Sequence, residues 1–350
     1  MILTVTLNAA LDITYEVAAL HPGATHRIRE VTERPGGKGL NVARVLAALG
    51  HEVTVTGFAG GPTGRALREQ LAEQCGTAGA ADCTPGAQDA QDAQAADDSG
   101  GSGGSGGSGP SRAPRLRDAL VGVAGTTRRT VAVVDAATGE TTQLNEAGPV
   151  IAPDEWTAFT TAYEELLGTC SAVALCGSLP PGVPVGAYAR LVRAARAASV
   201  PVLLDTSGEP LRRAVAARPD IVKPNADELA ELTGSHEPAQ ATRDARRRGA
   251  HAVVASLGPR GMFAVTPEGR WRVAPPRRLR GSPVRGNATG AGDSAVAGLL
   301  SGLVDNLPWP KRLVRAAALS AATVLSTAAG EFDRGAYREM LGRVEVTEAT

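Results

Sequence analysis

Short apolar runs alternate with longer amphipathic stretches along most of the chain. The runs are rich in Val, Ile, Leu and Thr, and they lie at 2–6, 53–56, 131–134, 173–175, 202–204, 221–222 and 253–255. Those that begin at Val173, Val202, Ile221 and Val253 are apolar at nearly every position, which is typical of parallel strands covered by helices on both faces. The alternation predicts an α/β fold with a doubly wound, mostly parallel sheet flanked by helices.

Two other segments, 10–34 and 126–147, alternate polar and apolar residues instead. A period of two indicates strands with one solvated face. The second segment has a turn near Thr138-Gly139, which predicts a hairpin. We expect both segments to form a small antiparallel sheet attached to a single domain that spans 1–350.

Residues 78–114 differ in composition from the rest of the chain. They are mainly Ala, Gln, Asp, Ser, Gly and Pro, and they include GGSGGSGGSG at 100–109. Such a segment offers few side chains to a core, so we predict a flexible low-complexity insertion at the surface.

The charge balance narrows the classes of function. In 350 residues, 36 Lys and Arg face 36 Asp and Glu, so the formal net charge is zero, whereas nucleic-acid-binding proteins usually have a basic excess. No apolar stretch approaches the roughly 20 residues that span a bilayer, and the amino terminus lacks the basic residues of a signal peptide. We therefore expect a cytoplasmic enzyme that binds neither nucleic acid nor membrane.

A glycine-rich loop precedes the first amphipathic helix, in PGGKGLNVARVLAALG. The apolar stripe of that helix is Val42, Val45, Leu46 and Leu49. Gly37 therefore lies at the helix N-terminus, where free N–H groups and the helix dipole favour an anion. Lys38 adds a positive charge and Asn41 an amide on the first turn. The alternative is a glycine turn with a solvated lysine; a Walker A loop is excluded because Gly-Lys-Ser/Thr is absent.

A second loop of small residues, in NATGAGDS, precedes another amphipathic helix. The amides of Gly290, Ala291 and Gly292 can point at one spot, which suits the charge on a phosphoryl group in transfer. Asp293 comes next. It is either a helix N-cap, which is a common role for Asp, or a general base that takes a hydroxyl proton beside those amides.

Two motifs lie between these loops. In KPNADEL, Asn225 and Glu228 are three residues apart, and an amide oxygen with a carboxylate suits a Mg²⁺ ion that keeps its waters. The same spacing fits a helix-capping pair. SLGPRG, at 256–261, follows a predicted strand and is typical of either a nucleotide-phosphate loop or an ordinary turn.

Together these motifs resemble the ribokinase-like (PfkB-type) carbohydrate kinases, in their order and approximate spacing. TLNAALD, TRRTVAV, LNEAGP and GSLPPGVP are similar to a narrower branch, which contains 1-phosphofructokinase, tagatose-6-phosphate kinase and the minor 6-phosphofructokinase. The resemblance covers the chain outside 78–114. It implies ATP as donor, Mg²⁺ as cofactor, a phosphorylated ketohexose as acceptor, and a β-sheet lid that often forms a homodimer contact.

The resemblance also implies roles for single residues. Asp293 would be the base, and Gly290, Ala291 and Gly292 would form the anion hole. The residues that would contact ATP are Lys223, Asn225, Ser256, Gly258, Gly261 and Asn287. Asn225 and Glu228 would hold Mg²⁺ through water. The residues that would contact the sugar hydroxyls are Asp12, Gly37 and Asn41, and the cations at its phosphate would be Lys38 and Arg128.

Two departures from the branch concern the acceptor side. Ala9 stands where the branch usually has proline, and Thr130 replaces a usual asparagine. Lys38 within GGKG resembles 1-phosphofructokinase and tagatose-6-phosphate kinase more than the minor 6-phosphofructokinase, and of the two we favour the first, which converts fructose 1-phosphate to fructose 1,6-bisphosphate. Tagatose-6-phosphate kinase and a minor-type 6-phosphofructokinase remain open. A non-catalytic sugar-phosphate-binding regulator is disfavoured because Asp293 and its loop are present, and a ribose or nucleoside kinase is disfavoured by Lys38 with Arg128.

Overall fold

Strands and helices alternate along the chain in the computed structural model, which describes residues 1–77, 116–276, 284, 286, 288–326 and 328–349. The strands are β1 Ile2–Thr6, β2 Ala10–Val17, β3 Glu30–Gly36, β4 Val53–Gly60, β5 Leu116–Asp118, β6 Val121–Val123, β7 Arg128–Asp135, β8 Thr141–Asn145, β9 Ala172–Cys176, β10 Val202–Asp205, β11 Ile221–Val222, β12 Ala252–Ser256, β13 Met262–Val265, β14 Arg270–Val273 and β15 Val346–Glu348. The α-helices are α1 Lys38–Ala48, α2 Gly61–Thr77, α3 Pro153–Leu167, α4 Ala187–Ala197, α5 Gly208–Val215, α6 Ala226–Thr233, α7 Pro238–Arg247, α8 Ala291–Val304, α9 Trp309–Val324 and α10 Arg334–Leu341.

Most of these strands form one large sheet. Their order is β15-β14-β13-β12-β11-β10-β9-β1-β4-β5, with β6 also paired to β4. Every pairing from β12 to β5 is parallel, and β12 to β15 pair antiparallel at one edge. Each apolar run predicted to be a strand lies in a strand, and the predicted fold class is confirmed.

Helices cover both faces of the large sheet, because successive strand residues point to opposite sides. In β1, Ile2 joins the core beneath α1, α8 and α9, whereas Leu3 and Val5 join the core beneath α3, α4 and α5. The predicted helix stripes are buried as well, at Val42, Val45, Leu46, Val296, Leu299 and Leu300. With both faces covered, the carboxyl ends of the parallel strands are left to line a site.

A second, four-stranded sheet has the order β3-β2-β7-β8 and coincides with the two segments predicted for it, except that β3 continues past residue 34 to Gly36. The β2–β3 and β7–β8 pairs are antiparallel as predicted, and Gly139 turns the second hairpin with φ of 75°. The pairing that joins them, β2 with β7, is parallel, so the expectation of a wholly antiparallel sheet was wrong. β2 and β7 belong to separate hairpins, and the chain between them crosses the main sheet through β4.

The predicted insertion at 78–114 lies outside the described residues, as does Asn287. Among the helices of the described part of the chain, none combines the length and the apolar character needed to cross a bilayer.

Candidate active site

Chemistry-bearing residues gather at the carboxyl ends of neighbouring parallel strands. Cys176 ends β9, Asp205 ends β10, Lys223 follows β11 and Ser256 ends β12. The N-terminal ends of α1 and α8 lie over this edge, and the two helices pack against each other. Ligands of doubly wound sheets bind at this edge.

Asp293 is the third residue of α8 and is only 6% exposed. The N-cap of α8 is Gly290, which has no side chain to cap with, so the N-cap alternative for Asp293 is wrong. Instead, the Asn41 side chain donates its Nδ2–H to Asp293 Oδ2 at 2.8 Å. Burial raises the pKa of Asp293 to about 6 and the nearby Asp205 adds to this, against the Asn41 hydrogen bond, Lys38 and Lys223. A carboxylate with that pKa suits a general base near neutral pH.

The loop before Asp293 requires glycine. Gly290 has φ of 81°, and a methyl group there would lie 2.9 Å from Ala329 Cα, so an L side chain is excluded on both counts. A methyl group on Gly292 would lie 3.6 Å from Lys223 Nζ, which places that ammonium group directly beside the loop. The first N–H groups of α8 therefore meet a positive charge, and the combination favours an anion.

The first glycine loop approaches the same place from α1. Gly37 is the N-cap of α1, with φ of 115°, and accepts a backbone hydrogen bond from Asn41 at 3.0 Å. A methyl group on Gly39 would lie 2.2 Å from Thr6 Oγ1, so α1 starts in close contact with β1. The structure thus brings both predicted glycine loops together through Asn41 and Asp293.

Asp205 is a residue of this site that the sequence analysis missed. It is 1% exposed, and its Oδ1 lies 3.4 Å from Lys38 Nζ and 3.6 Å from Lys223 Nζ. Within the described residues, its Oδ2 has no hydrogen-bond partner. The available signal was an acidic residue at the end of the apolar strand VLLD, at the carboxyl edge of a parallel sheet.

Lys38 and Lys223 therefore meet at one buried carboxylate. Lys38 also lies 4.0 Å from Glu228 Oε1. Burial opposes the charged form of Lys38, but the carboxylates of Asp205, Glu228 and Asp293 raise its pKa above the usual range. Lys38 is therefore charged at neutral pH, with the carboxylates of Asp205 and Glu228 as its partners.

Asn225 and Glu228 form a helix-capping pair at the start of α6, the alternative to a metal site. Asn225 Oδ1 accepts from the Glu228 N–H, and Glu228 Oε2 accepts from the Asn225 N–H, both at 2.8 Å. The second carboxylate oxygen of Glu228 stays outside the cap, near Lys38. No cluster of three potential metal ligands of the His, Cys, Asp or Glu type occurs in the described residues. A single carboxylate oxygen fits a Mg²⁺ ion that keeps most of its waters.

The SLGPRG loop lies next to this cap. Ser256 forms a backbone bridge with Asn225 and donates its N–H to Pro224 O at 3.0 Å. Gly258 begins a short 3-10 turn with φ of 57°. Gly261, with φ of 84°, lies so close to β14 that a methyl group would be 2.1 Å from Val273 O. The two motifs predicted to contact ATP are thus neighbours, with Lys223 buried behind them.

Asp12 lies on the inner face of the second sheet. Its carboxylate accepts a hydrogen bond from Thr130 Oγ1, so the threonine that replaces the usual asparagine is in contact with it. A methyl group on Gly36 would lie 2.0 Å from Asp12 Cγ, so this carboxylate packs directly against the Gly36 backbone, where any side chain would clash. Burial raises the pKa of Asp12, while the Thr130 hydrogen bond, Arg44 and Arg128 act against that rise.

Arg128 begins β7 and joins two loops that the resemblance singled out. Its Nε donates to Asn8 O and its Nη1 to Glu146 O, both at 3.2 Å. Its charge faces Asp12 and Glu146, whereas the charge of Lys38 faces Asp205 and Glu228. The two cations predicted to share one phosphate are therefore directed at different carboxylates in this structure.

Comparison with known proteins places this arrangement in a family. Residues 5–75 and 115–334 match the family described as pfkB family carbohydrate kinase. Escherichia coli phosphofructokinase-2 in complex with fructose-6-phosphate is 27% identical with a TM-score of 0.77, over 97% of this chain and 98% of that chain.

Two other solved structures are similar in fold. A possible 1-phosphofructokinase from Thermotoga maritima is 24% identical with a TM-score of 0.78, over 100% of both chains. Arabidopsis thaliana ribokinase, complexed with ribose and ATP, is 22% identical with a TM-score of 0.67, over 97% of this chain and 98% of that one. The family match includes both glycine loops and omits 76–114, the region of the predicted insertion. The chain therefore belongs to the pfkB family of carbohydrate kinases, and it is a phosphofructokinase-like, ATP-dependent sugar kinase.

Proposed function

We propose that this kinase transfers the γ-phosphoryl group of ATP to a hydroxyl of a phosphorylated ketohexose, with fructose 1-phosphate favoured and fructose 1,6-bisphosphate as product. The observation that carries the proposal is the buried Asp293 carboxylate, held by Asn41 at the N-terminal loop of α8. A base and the N-terminal backbone amides of α8 then lie within one helical turn of each other, although the Ala291 N–H also donates to Ala288 O at 3.1 Å.

In the proposed reaction, Asp293 accepts the proton of the acceptor hydroxyl as its oxygen forms a bond to the γ-phosphorus. The bond from that phosphorus to the β-phosphate oxygen breaks, and ADP leaves with the electron pair. Gly290, Ala291 and Gly292 stabilise the equatorial oxygens, whose charge is delocalised in the transition state. The ammonium groups of Lys38 and Lys223 add positive charge at the same place.

We place Mg²⁺ at Glu228 and Asn225, through water, where it would neutralise phosphate charge on the donor. Asn225 already uses its side-chain oxygen in the cap of α6, so the oxygen offered to the hydrated ion is Glu228 Oε1, which lies outside the cap and 4.0 Å from Lys38 Nζ. The 256–261 loop, with Ser256, Gly258 and Gly261, supports the nucleotide on the same side, and Asn287 is retained as a proposed ATP contact.

For the acceptor, we propose that Asp12, Gly37 and Asn41 hold the sugar hydroxyls and that Arg128 binds its existing phosphate. The support is the position of Arg128: its charge faces Asp12, and it donates hydrogen bonds to the backbone carbonyls of Asn8 and Glu146. An arginine can bind phosphate with two parallel hydrogen bonds. Lys38, which faces Asp205 and Glu228, is better placed for the phosphoryl group in transfer.

Fructose 6-phosphate is the second candidate acceptor, because the phosphofructokinase-2 that resembles this chain at 27% identity was solved with that sugar. Lys38 within the glycine loop favours fructose 1-phosphate or tagatose 6-phosphate. An ADP-release assay with these three phosphosugars, and with unphosphorylated fructose and tagatose, decides among them. A kcat/KM for an unphosphorylated sugar that equals or exceeds those of all three phosphosugars would contradict the proposed substrate class.

We also propose that two copies associate through the second sheet. Two cross-strand rows lie on its outer face, Val31–Tyr15–Val133 and Ile13–Val131–Leu144, and Ile13 in the middle of the second row is buried. Val31 is 53% exposed and Leu144 is 59% exposed, so this apolar face is open at both edges. Asp12 points to the other face, so association here leaves the site accessible.

Light scattering at micromolar concentration tests the dimer. The parent should have twice the mass of a monomer, and the double variant Val31→Asp with Leu144→Asp should have the mass of a single monomer. Val185→Asp, at an exposed valine elsewhere, is the matched control and should stay dimeric. A monomeric parent, or a double variant that remains dimeric, would disprove this interface.

A further inference from the structure

Arg44, on α1, connects three segments around the candidate base. Its Nη1 donates to Asn41 Oδ1 at 3.1 Å, and its Nη2 donates to Pro35 O in β3. It also borders Gly330, where a methyl group would lie 3.1 Å from Arg44 Nη1. Because residues three apart share a helix face, the arginine reaches Asn41 from the next turn.

This contact determines which way the Asn41 amide points. A guanidinium group can only donate hydrogen bonds, so the oxygen of the amide must face Arg44 and its NH₂ group must face away. The NH₂ group then donates to Asp293 Oδ2 at 2.8 Å. In the opposite orientation, the amide oxygen would face the carboxylate and the NH₂ group would face the guanidinium, and both contacts would be repulsive.

The surroundings of Arg44 keep it charged and in place. Burial lowers the pKa of Arg44 to about 10, with Arg34 acting in the same direction and Asp12 and Glu331 against it. Arg44 therefore remains protonated at neutral pH. Asp12 is the carboxylate proposed to hold the sugar, so the guanidinium lies between the acceptor side and the base.

We propose that Arg44 is a positioning residue for phosphoryl transfer: it orients the Asn41 amide so that the amide holds Asp293 as an ionised base. The inference rests on the proposed role of Asp293. It assigns to Arg44 an effect on catalysis through Asn41, without contact with either substrate. Through Pro35 it also links the orientation of the base to strand β3 of the second sheet.

Arg44→Met removes the donors and keeps an unbranched side chain. Without them the Asn41 amide is free to turn, and Asp293 loses a hydrogen bond to its charged form. Loss of such a bond raises a carboxylate pKa, so the acid limb of kcat should shift to higher pH by about one unit. At a pH below both midpoints, kcat should fall about tenfold, while the KM for ATP stays within about twofold.

Other charges face Asp293, and the experiment must keep them constant. They are Asp205, Lys38 and Lys223; the Cys176 thiol lies beside them but is uncharged, because burial raises its pKa well above the ordinary value. Arg34→Met is the matched control, because Arg34 lies near Arg44, pairs with Glu331 and does not touch Asn41. It removes the same charge from the same region and should leave the midpoint of the acid limb unchanged.

The inference is wrong if Arg44→Met keeps the parental midpoint, or if Arg34→Met shifts it equally. Should Arg44→Met fail to fold, Arg44→Gln decides: a glutamine amide offers an acceptor as well as donors and so no longer fixes the Asn41 orientation, the same shift is expected, and an unchanged midpoint refutes the inference. The midpoint does not depend on how much enzyme is active. If Asp293→Asn retains turnover, the proposed function itself fails, whatever Arg44 does.

Discussion

Lys223 Nζ lies 3.6 Å from Asp205 Oδ1, and the two side chains are only 4% and 1% exposed. This ion pair joins the end of β10 to the residue that follows β11, beneath the loop that begins α8. Charges so deeply buried persist only when each has a partner. The pair thus holds the Lys223 ammonium group in a fixed position next to Gly292.

Lys223→Met should destabilise the protein, because it leaves Asp205 with only the more exposed Lys38. Breaking a buried pair costs about 3 kcal/mol, measured as the free energy of unfolding in urea. Asp205→Leu combined with Lys223→Met should recover most of that stability but no turnover. For comparison, Arg213→Met breaks a 2.9 Å pair with Glu209 that is half exposed, and it should cost less than about 1 kcal/mol. If Lys223→Met and Arg213→Met lower the free energy of unfolding equally, the buried pair contributes no more to stability than the exposed pair.

Asp293→Asn should reduce kcat by about 10² to 10⁴, the usual contribution of a general base. Both substrates should bind within a few-fold of the parent, since the amide keeps the shape and the contact with Asn41. Steady-state kinetics and calorimetric titration of ATP measure the two effects. Asp154→Asn, in the exposed first turn of α3, is the control and should be fully active. A variant at position 293 with more than about a tenth of parental turnover would remove Asp293 from this role.

The pKa of Asp293 predicts opposite effects of pH on activity and stability. Activity needs the carboxylate, so kcat/KM should fall as the pH drops through about 6. The folded pKa is raised above the ordinary 3.8, so the group favours folding below pH 3.8 and this contribution is lost as the pH rises through about 6.

Asp293→Asn should therefore be more stable than the parent at pH 8, by about 2 to 3 kcal/mol for a shift of this size. The gain should vanish near pH 4. Urea unfolding at several pH values measures it, with Asp154→Asn expected to follow the parent throughout. A gain that is independent of pH would show that ionisation of Asp293 is not its source.

Arg128→Ala should raise the KM for the phosphorylated acceptor by the equivalent of about 1.5 to 3 kcal/mol, the value of a charge-assisted hydrogen bond. The KM for ATP should change little, because Lys223 and the 256–261 loop are elsewhere in the site. Any weak activity on unphosphorylated fructose should also be unaffected. Arg129→Ala is the control, since its side chain pairs with Glu146 at the exposed edge. Proportional losses on phosphorylated and unphosphorylated sugars would mean that Arg128 only braces the Asn8 and Glu146 loops.

Replacing 80–110 by a short Gly-Ser linker should leave a folded, active kinase. The family match omits 76–114, so the matched regions do not require it. Shortening a loop changes its closure free energy by only about 0.6 kcal/mol per halving. Soluble yield and kcat/KM check this, and an insoluble product would show that the segment contributes to the fold.

Local pattern was enough to predict the large sheet and both helix N-termini. The stripes that contain Val45 and Leu300 fix where α1 and α8 begin, and the glycines before them follow from that. Local pattern could not decide whether the pair Asn225 and Glu228, or the single residue Asp293, caps a helix or has a chemical role. Asn225 with Glu228 proved to be a cap, whereas Asp293, which looked like one, makes its contact with Asn41, 252 residues away in sequence.

The remaining features depend on long-range placement. Asp205 has no local signature, because its partners come from α1 and from the residue after β11. Lys38 and Arg128 face different carboxylates because their partners come from other parts of the chain, which no short segment encodes. The parallel pairing of β2 with β7 has the same origin.

That parallel pairing has a consequence for how the enzyme is made. The Asp12–Thr130 hydrogen bond connects positions 118 residues apart, so the acceptor side cannot exist until β4, α2 and β7 have been synthesised and packed. Contacts this distant in sequence form late in folding. A nascent or refolding chain should therefore form its helices, whose contacts are local, before it can recognise a sugar, and the return of acceptor binding should lag behind the return of helical signal.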